Sequence, residues 1–207
     1  MDEPRGYGEE RKETGPELPL EFGQFTEKNI EVLRKLNLAT FPVNYHDTFY
    51  KALPRHFPFC QMALLKDVCI GAICARLELA SAVNAQLLDE SAEMVNGGGV
   101  GGDGKKIHPE ACRLYIMTLS VLQPYRRGKS ASKLLEWLLQ RAQEKKDQDL
   151  IVDVFLHVHT INEPALKFYQ RHGFSIIAKL PNYYPKLDPP SCYVLSRPLD
   201  SKGKDAA

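Results

Sequence analysis

Two residues that could carry acid–base chemistry, Tyr115 and His157, lie in apolar segments that alternate like β-strands. In residues 113–121 and 152–159 successive side chains point to opposite faces, so the two could meet on one sheet face if the strands are neighbours. Histidine, with a reference pKa of about 6.5, suits general-base work at neutral pH, whereas tyrosine, at about 10, does not unless its pKa is strongly shifted. His157 could equally be a core or surface histidine. We expect His159, on the same face, to be an exposed polar residue beyond the site.

A second candidate site is the segment "RRGKSAS", residues 126–132, which stands directly before a helical pattern. The apolar side chains of that pattern form one stripe: Ala131, Leu134, Leu135, Leu138, Leu139 and Ala142. The first turn of a helix has backbone N–H groups without intrahelical partners, and with the helix dipole they favour anions. Arg126 and Arg127 could add charge-assisted hydrogen bonds to a phosphate. The alternative is an ordinary strand-to-helix turn with solvated arginines.

Two short aromatic segments, "FPVNY" and "NYYP", could form the wall of a binding pocket, because such walls are mostly apolar. On the sequence alone, such clusters are more often part of a core. The residues concerned are Phe41, Pro42, Val43, Tyr45, Tyr183 and Tyr184.

Composition narrows the function classes. The 207 residues are enough for one domain with a sizeable core, and 27 Lys and Arg against 26 Asp and Glu give a formal net charge of +1. This balance gives no general attraction to nucleic acid or to an anionic membrane, and no apolar run reaches the roughly 18 residues of a membrane span. Five cysteines without metal-ligand spacing favour a reducing compartment, and we expect no metal site.

The elements that must position these residues begin after a polar tail. Residues 1–18 and 201–207 are predicted to be disordered, and residues 19–200 to form the domain. A helix is predicted from Thr26, as N-cap, to the break at Pro42, with Ile30, Leu33, Leu36 and Leu38 at near-helical spacing. Two strands follow, around a turn near Lys66–Asp67.

The second half of the chain predicts an α/β domain. Residues 80–111, with six glycines between Gly97 and Gly104, are expected to form a mostly disordered insertion in a hairpin. The order that follows is strand, helix, strand, helix, strand, which indicates a sheet with parallel pairing at its middle. Asn162 is a good N-cap for the second of these helices, and Gly173 suits the left-handed position after its end.

This order, with an Arg-rich turn, an Asn-capped helix and Tyr-x-x-x-Gly-Phe, resembles the GCN5-related N-acetyltransferase family over about residues 20–200. Four motifs sharpen the resemblance toward N-terminal acetyltransferases: "RKLNLATFPVNYHDTFY", "RLYIMTLSVLQPYRR", "FLHVHTINEPALKFYQRHGF" and "NYYPKLDP". The implied fold is α/β, with a mixed central sheet splayed at the cofactor cleft and flanked by helices. Acetyl-CoA would lie in that cleft, and a peptide N-terminus would enter opposite.

The resemblance also implies roles for individual residues. Tyr115 and His157 fall on the catalytic pair, with His157 as the base acting through an ordered water and Tyr115 positioning that water. Acetyl-CoA would contact Leu119, Val121, Arg126, Arg127, Gly128, Lys129, Ser130, Ala131, Ser132, Asn162 and Tyr169. For Tyr169, donation to the leaving thiolate and simple packing are equally open. The peptide would contact Phe41, Pro42, Val43, Tyr45, Met117, Tyr183 and Tyr184.

The loop departs from the family pattern Gln/Arg-x-x-Gly-x-Gly/Ala. Read without a gap, Lys129 replaces the middle glycine, and Ala131 fills the last position. A one-residue gap would align Gly128 instead, but it would rotate the leucine stripe by about 100°. Lysine still offers its backbone N–H, provided that the turn needs no positive φ, and its ammonium could bind a phosphate. Its Cβ could also crowd the cofactor and weaken binding.

The sequence therefore predicts a cytoplasmic, or also nuclear, enzyme that transfers acetyl from acetyl-CoA to nascent protein N-termini, with Met-hydrophobic starts preferred. Its expected partners are those N-termini and the subunits of the acetyltransferase A complex at the ribosome. Two alternatives stay open. One is a catalytically weak scaffold subunit of that complex, and the other is a lysine or small-amine acetyltransferase.

Overall fold

The computed structural model describes residues 17–41, 43–87, 93–94 and 108–199. The chain divides into two compact units, one from Met1–Arg76 and Ile116–Arg141, the other from Leu77–Tyr115 and Ala142–Ala207. Almost all of the two predicted tails lies outside the described residues, and so does the glycine run that begins at Gly97.

The first helix begins later than the sequence suggests. Helix α1 spans Ile30–Thr40 with Asn29 before its first residue, so the prediction of Thr26 as N-cap is wrong. The Asn29 side chain accepts a hydrogen bond from the Thr26 backbone N–H at 2.8 Å, which fixes a turn in front of the helix instead of extending it. Helix α1 ends before Pro42, as predicted. Helix α2 (Asp47–Ala52) and a 3-10 segment (Leu53–Phe59) follow.

The buried stripe of α1 differs from the predicted one at one position. Leu33 and Leu36 are buried, as expected, but Leu38 is 55% exposed, and Asn37 lies inside instead. Adjacent residues on a helix are rotated by about 100°, so position 38 falls outside a face centred on 33, 36 and 37. The Asn37 amide nitrogen lies 3.4 Å from the hydroxyl of buried Tyr50.

The strands of the first unit form an antiparallel meander. Strand β1 (Glu21–Gln24) pairs with β2 (Cys60–Leu65), which pairs with β3 (Val68–Leu79). The predicted turn between β2 and β3 is confirmed: Lys66 and Asp67 both have positive φ angles, 49° and 63°, which is typical of a two-residue hairpin. The C-terminal part of β5 (Cys112–Val121) lies beside β3.

Helix α4 (Ser130–Lys145) packs closely on these strands. Leu134, Leu135 and Leu138 are fully buried, which confirms the predicted leucine stripe. A Cβ at Gly71 would lie 2.8 Å from the Ser120 carbonyl oxygen and 3.4 Å from a Leu134 methyl group, so only glycine fits there. The small residue lets the helix and the strand backbones approach, and this sets where α4 begins.

The second unit contains a mixed set of strands. The N-terminal part of β5 is parallel to β6 (Ile151–His159), and β6 is antiparallel to β8 (Cys192–Pro198). Strand β7 (Ser175–Leu180) pairs antiparallel with β8 and with β4 (Glu93–Met94). Helix α5 (Glu163–Arg171) lies between β6 and β7 in the chain, with Asn162 as its N-cap and Gly173, at φ 80°, after its end. The predicted parallel pairing of β5 and β6 is confirmed.

The segment predicted as a mostly disordered insertion has structure at its start. Helix α3 occupies Ala80–Leu87, and Val83 is buried in the core cluster of the second unit with Phe155, Val194 and others. The expectation of a disordered loop is therefore wrong for residues 80–87, where an Ala- and Val-containing run offers an apolar side to the sheet. Residues 88–92 and 95–107 lie outside the described part of the chain.

Candidate active site

In the second unit, the two predicted catalytic residues meet on one sheet face. The Cα atoms of Tyr115 and Phe155 are partners in the parallel β5–β6 pair, and the side chain of His157 comes two residues later on the same face. The ring centroids of Tyr115 and His157 are 5.3 Å apart, and those of Tyr115 and Phe155 are 5.0 Å apart. We call Tyr115, Phe155, His157 and Tyr183 the aromatic cluster.

Tyr183 closes this cluster from the loop between β7 and β8. Its ring stacks on the imidazole of His157, with centroids 4.2 Å apart and planes 9° apart. Its hydroxyl lies 3.3 Å from the hydroxyl of Tyr115, and either group can donate. The imidazole thus lies between two tyrosine rings whose hydroxyls are paired. One of the two paired hydroxyl groups can therefore offer its hydrogen close to the His157 imidazole, which can act as a base.

An ion pair lies beside the aromatic cluster, on the same face of the β5–β6 strand pair. Arg113, which is fully buried, donates to both carboxylate oxygens of Asp153, at 2.8 Å and 2.6 Å, and Ser196 donates to one of them. The guanidinium lies 4.6 Å from the centroid of Phe155, over its ring. A buried charge is tolerated only when it is paired and hydrogen-bonded, and this network meets both conditions next to Phe155.

His159 does not behave as the sequence suggests. It is 6% exposed, so the prediction of an exposed polar residue is wrong. Its Nε2 lies 2.6 Å from the carbonyl oxygen of Pro189, and its ring meets the ring of Tyr184 edge-on at 5.8 Å. The position is buried because the loop between β7 and β8 folds back over the end of β6, a long-range contact that alternation does not reveal.

In the first unit, the loop before α4 has the features of an anion site. Helix α4 begins at Ser130, and the Lys129 carbonyl accepts the first helical hydrogen bond, from the Lys133 N–H at 2.9 Å. Arg126, Arg127 and Lys129 are exposed, while Gly128, Ser130 and Ser132 are buried. Arg126 Nε donates to the carbonyl oxygen of Val121 at 2.9 Å, which ties the loop to the end of β5.

Two loop residues that are not glycine adopt left-handed backbone angles. Arg127 has φ 74° and Lys129 has φ 59°. The sequence allowed lysine at position 129 provided that the turn needs no positive φ. The structure does not meet this condition. A left-handed conformation costs a residue with a Cβ about 1–2 kcal/mol. The same angle supports the ungapped alignment, because it puts the glycine-type conformation at Lys129, where the family pattern has its middle glycine.

The N-terminal segment supplies a carboxylate to this loop. Glu17 lies 2.7 Å from Lys133 Nζ and 3.4 Å from Lys129 Nζ. Hydrogen bonds from Lys133 and then Lys129 lower the pKa of the Glu17 carboxyl below its usual value. The ammonium group of Lys129 thus already faces an anion of its own chain.

The predicted peptide wall of the first unit is only partly described. Pro42 lies outside the described residues. The ring of Phe41 meets Tyr45 edge-on at 5.7 Å, and Val43 is exposed. Tyr45 and Met117 pack against the core cluster that contains Leu33 and Met62. These side chains are therefore fixed by the core on one side.

Two further cofactor candidates, Asn162 and Tyr169, have structural roles of their own. Asn162 Oδ1 accepts from the Ala165 N–H at 3.2 Å, as an N-cap does. The Tyr169 ring is buried against Phe168 and Phe174, with centroids 5.1 Å and 5.5 Å apart. On β5, Leu119 is half-buried, with Val121 buried beyond it and Ala131 half-buried in the first turn of α4.

In the described ranges, no cluster of three or more His, Cys, Asp or Glu side chains could bind a metal ion. A search of the same residues found no helix that is long and apolar enough to span a membrane. All five cysteines are free, and burial raises the pKa of the Cys192 thiol to about 12.

Comparison with known proteins gives the class. The model of the Acetyltransferase (GNAT) family matches residues 30–174, so the chain belongs to this family and is an acetyltransferase. The family resemblance and the predicted fold class, a mixed central sheet flanked by helices, are both confirmed.

Within this family, the chain is similar to particular N-terminal acetyltransferases. N-alpha-acetyltransferase 50 of Danio rerio is 34% identical over 182 residues, which is 88% of this chain and 90% of the relative. Probable N-acetyltransferase san of Drosophila melanogaster is 31% identical over 180 residues, 87% of this chain and 81% of the relative. The solved structure of Arabidopsis thaliana Naa50 in complex with the bisubstrate analogue CoA-Ac-MVNAL matches with a TM-score of 0.66 at 33% identity, over 87% of this chain and 99% of that one. The four sequence motifs resemble the same N-alpha-acetyltransferase 50, and that resemblance is confirmed.

Proposed function

We propose that this chain transfers the acetyl group of acetyl-CoA to the α-amine of protein N-termini. The observation that best supports this is the enclosure of His157 between Tyr115 and Tyr183, because it puts a base suited to neutral pH beside paired hydroxyl groups. The similarity to N-alpha-acetyltransferase 50, and to a protein seen with a CoA–peptide analogue, supports the choice of cosubstrate and acceptor.

The loop of residues 126–132 suits the phosphates of CoA. Three exposed cations, Arg126, Arg127 and Lys129, stand at a helix N-terminus whose first N–H groups are available to an anion. The chemistry of these donors fits the cosubstrate, although two of them are held in left-handed conformations. The other proposed contacts are Leu119, Val121, Gly128, Ser130, Ala131, Ser132, Asn162 and Tyr169.

The mechanism follows from the aromatic cluster. Acetyl-CoA supplies a thioester, so that the new N–C bond of the acetylated amine forms as the C–S bond breaks and CoA leaves as the thiol. His157 accepts the proton of the attacking amine through an ordered water, and Tyr115 positions that water. Tyr183 orients the imidazole by stacking on it. Tyr169 is a candidate donor to the leaving sulfur, but its buried packing would justify the residue without that role.

An α-amine is the acceptor that this base handles best. At pH 7.4 about a quarter of an α-amine with pKa of about 7.7–8.0 is already neutral, against about one part in a thousand of a lysine amine at about 10.4. A single water-mediated histidine therefore suits the α-amine. The apolar side chains of Phe41, Pro42 and Val43, with Tyr45 and Met117, favour an uncharged first residue such as methionine. Tyr183 and Tyr184 would form the other wall of the pocket for the first residues of the peptide.

The test is acetylation of a Met-Leu peptide beside the same peptide with a blocked N-terminus and an internal lysine. We expect transfer to the free N-terminus and little to the lysine. Equal rates on the two peptides would favour a lysine or small-amine acetyltransferase. Replacement of the first residue by aspartate tests the apolar wall and should reduce turnover.

A catalytically weak scaffold subunit is the second candidate, and the left-handed angle at Lys129 is the observation in its favour. In this role the chain would bind the auxiliary and catalytic subunits of the acetyltransferase A complex at the ribosome, in the cytoplasm. Calorimetric titration with acetyl-CoA separates the two candidates. Binding heat supports the enzyme, whereas its absence, with co-purification of those subunits, supports the scaffold.

A further inference from the structure

The loop between β7 and β8, residues 181–191, carries both tyrosines of the proposed peptide site, and we call it the tyrosine loop. Two backbone hydrogen bonds lie within it. The Tyr184 N–H donates to the Pro190 carbonyl at 2.8 Å, and the Leu187 N–H donates to the Tyr184 carbonyl at 2.9 Å. A loop of this kind needs contacts outside itself to hold its side chains in one position.

His159 provides such a contact. Its Nε2 lies 2.6 Å from the Pro189 carbonyl oxygen, and the residue is buried. A carbonyl oxygen can only accept, so Nε2 must carry the hydrogen, and the contact fixes the tautomer of the ring. The contact is part-buried, so losing the donor would remove a hydrogen bond that holds the Pro189 carbonyl against β6.

The rings connect this anchor to the base. The His159 ring meets Tyr184 at 5.8 Å, Tyr184 meets Tyr183 edge-on at 4.8 Å, and Tyr183 stacks on His157 at 4.2 Å. The two histidines of β6 are two residues apart on one face, and each contacts one of two consecutive tyrosines. Their spacing along the strand therefore sets the position of both tyrosines together.

Two hydrogen bonds join Thr160, which follows β6, to the end of this loop. Thr160 Oγ1 is 2.9 Å from Ser191 Oγ, and the Thr160 N–H donates to the Ser191 carbonyl at 3.2 Å. They hold the last loop residue, where β8 begins, whereas His159 holds the part that packs on Tyr184.

We propose that His159 is a positioning residue for the peptide substrate: it holds the tyrosine loop through Pro189 and Tyr184 and thereby sets Tyr183 over His157. The inference rests on the proposed function, and it assigns to the second histidine of β6 a role in peptide binding rather than in proton transfer. It predicts that changes at His159 alter the KM for peptide and leave the KM for acetyl-CoA unchanged.

The test uses the full chain with two variants. His159→Phe keeps a ring against Tyr184 but removes the donor, and His159→Gln keeps an N–H of similar reach but removes the ring. For His159→Phe we expect the peptide KM to rise about fivefold to tenfold, the usual effect of one lost hydrogen bond, with the larger part restored in His159→Gln. Amide hydrogen exchange at residues 181–191 should be faster in His159→Phe.

The matched control is His172→Phe. His172 makes the same kind of contact in the same unit, from Nδ1 to the Phe168 carbonyl at 2.9 Å, with its ring 4.5 Å from that of Phe168. It should leave the peptide KM and the exchange of residues 181–191 unchanged. If His159→Phe does not fold, His159→Asn, one methylene shorter than glutamine and unable to reach Pro189, takes its place.

The outcomes separate this inference from the function on which it rests. An active wild-type chain whose peptide KM is unchanged in His159→Phe would overturn the inference alone, and so would an equal rise in His172→Phe. Unchanged exchange of residues 181–191 would refute the anchoring. A wild-type chain that acetylates neither peptide would refute the proposed function, and the inference with it.

Discussion

The aromatic cluster of the second unit and the loop before α4 in the first unit differ in how their structure is held in place. In the cluster, each ring contacts another ring, and the buried pair of Arg113 and Asp153 packs against Phe155. In the loop, exposed cations stand on a backbone with two left-handed residues that are not glycine. The cluster is therefore organised before substrate arrives. The loop instead has a conformational cost that the structure around it must offset.

The largest effect should follow removal of the base. His157→Ala is expected to lower kcat by about 10²–10⁴ at neutral pH, the usual range for a lost general base, with acetyl-CoA affinity unchanged. Steady-state kinetics and calorimetry measure the two quantities. Tyr183→Phe, which keeps the stacking on His157 and removes the hydroxyl near Tyr115, is the matched variant, and its loss should be about tenfold or less. Full activity in His157→Ala would assign the proton to Tyr115 or to bulk water.

The Arg113–Asp153 ion pair beside the cluster can be removed without changing any of the aromatic rings. Arg113→Met leaves Asp153 buried without its charge partner and should lower the free energy of unfolding by about 3–5 kcal/mol. Adding Asp153→Leu removes the uncompensated charge, so the double variant should recover most of that loss. Urea unfolding measures both. A double variant as unstable as the single one would mean that the packing of Arg113 on Phe155, and not the charge pair, stabilises this part of the fold.

Changes in the loop before α4 should alter the affinity for acetyl-CoA. Arg126→Ala is expected to weaken acetyl-CoA binding by about 1.5–3 kcal/mol, the scale of hydrogen bonds to a charged group. Arg141→Ala, on the same helix and with its Nε near the Pro58 carbonyl, is the control and should bind as wild type does. Equal affinities in the two variants would place the phosphates elsewhere.

The cost at Lys129 can be measured against an equivalent lysine. Lys129→Gly removes about 1–2 kcal/mol of left-handed strain and adds about 0.4–1 kcal/mol of unfolded-state entropy, so a small net stabilisation is expected. Lys66→Gly relieves a similar angle, φ 49°, in the β2–β3 turn and should give a similar gain. Because the Lys129 ammonium already faces Glu17, we expect acetyl-CoA affinity not to fall. A clear loss of affinity in Lys129→Gly alone would show that this ammonium binds a phosphate.

The smallest effect concerns the carboxylate at the loop. Because the pKa of Glu17 is lowered in the folded chain, its contribution to stability is present above its usual value of 4.5 and is lost as the pH falls through the lower folded value. The difference in Tm between wild type and Glu17→Gln should therefore be small at about pH 7 and vanish once the pH lies below the lowered pKa of the folded chain. Added salt should reduce it as well, since the pair is exposed. A difference that grows on acidification would contradict the ion pairs.

Sequence reasoning worked best where the signal is local and periodic. Alternation placed Tyr115 and His157 on one face, and the leucine stripe of α4 and the caps Asn162 and Gly173 follow from rules that act within a few residues. It failed at the start of α1, where Thr26 and Asn29 compete to cap and the turn uses both. The prediction also failed at α3, because the glycines that follow in the sequence favoured a disordered loop. This short helix is stabilised by contacts of Val83 with core residues far away in the chain.

Some residues of the candidate site gave only weak signals. Arg113 and Asp153 each interrupt an apolar strand, and opposite charges at such positions are a sign of a buried pair that could have been noticed. His159 alternates with His157, which suggests a shared face but not burial. Glu17 carries no pattern, because its contacts with Lys129 and Lys133 depend on where the preceding segment lies.

By itself, the sequence determined the order of the elements, because hydrophobic period and capping act over short distances. Its motifs indicated the class of chemistry through their resemblance to a known family. Only the tertiary structure decided which rings enclose His157, that His159 is buried, and that Lys129 is left-handed. These features depend on contacts between residues far apart in the chain, or on how a strand and a helix fix the ends of a loop. Their energies belong to the packed state, so no window of sequence contains them.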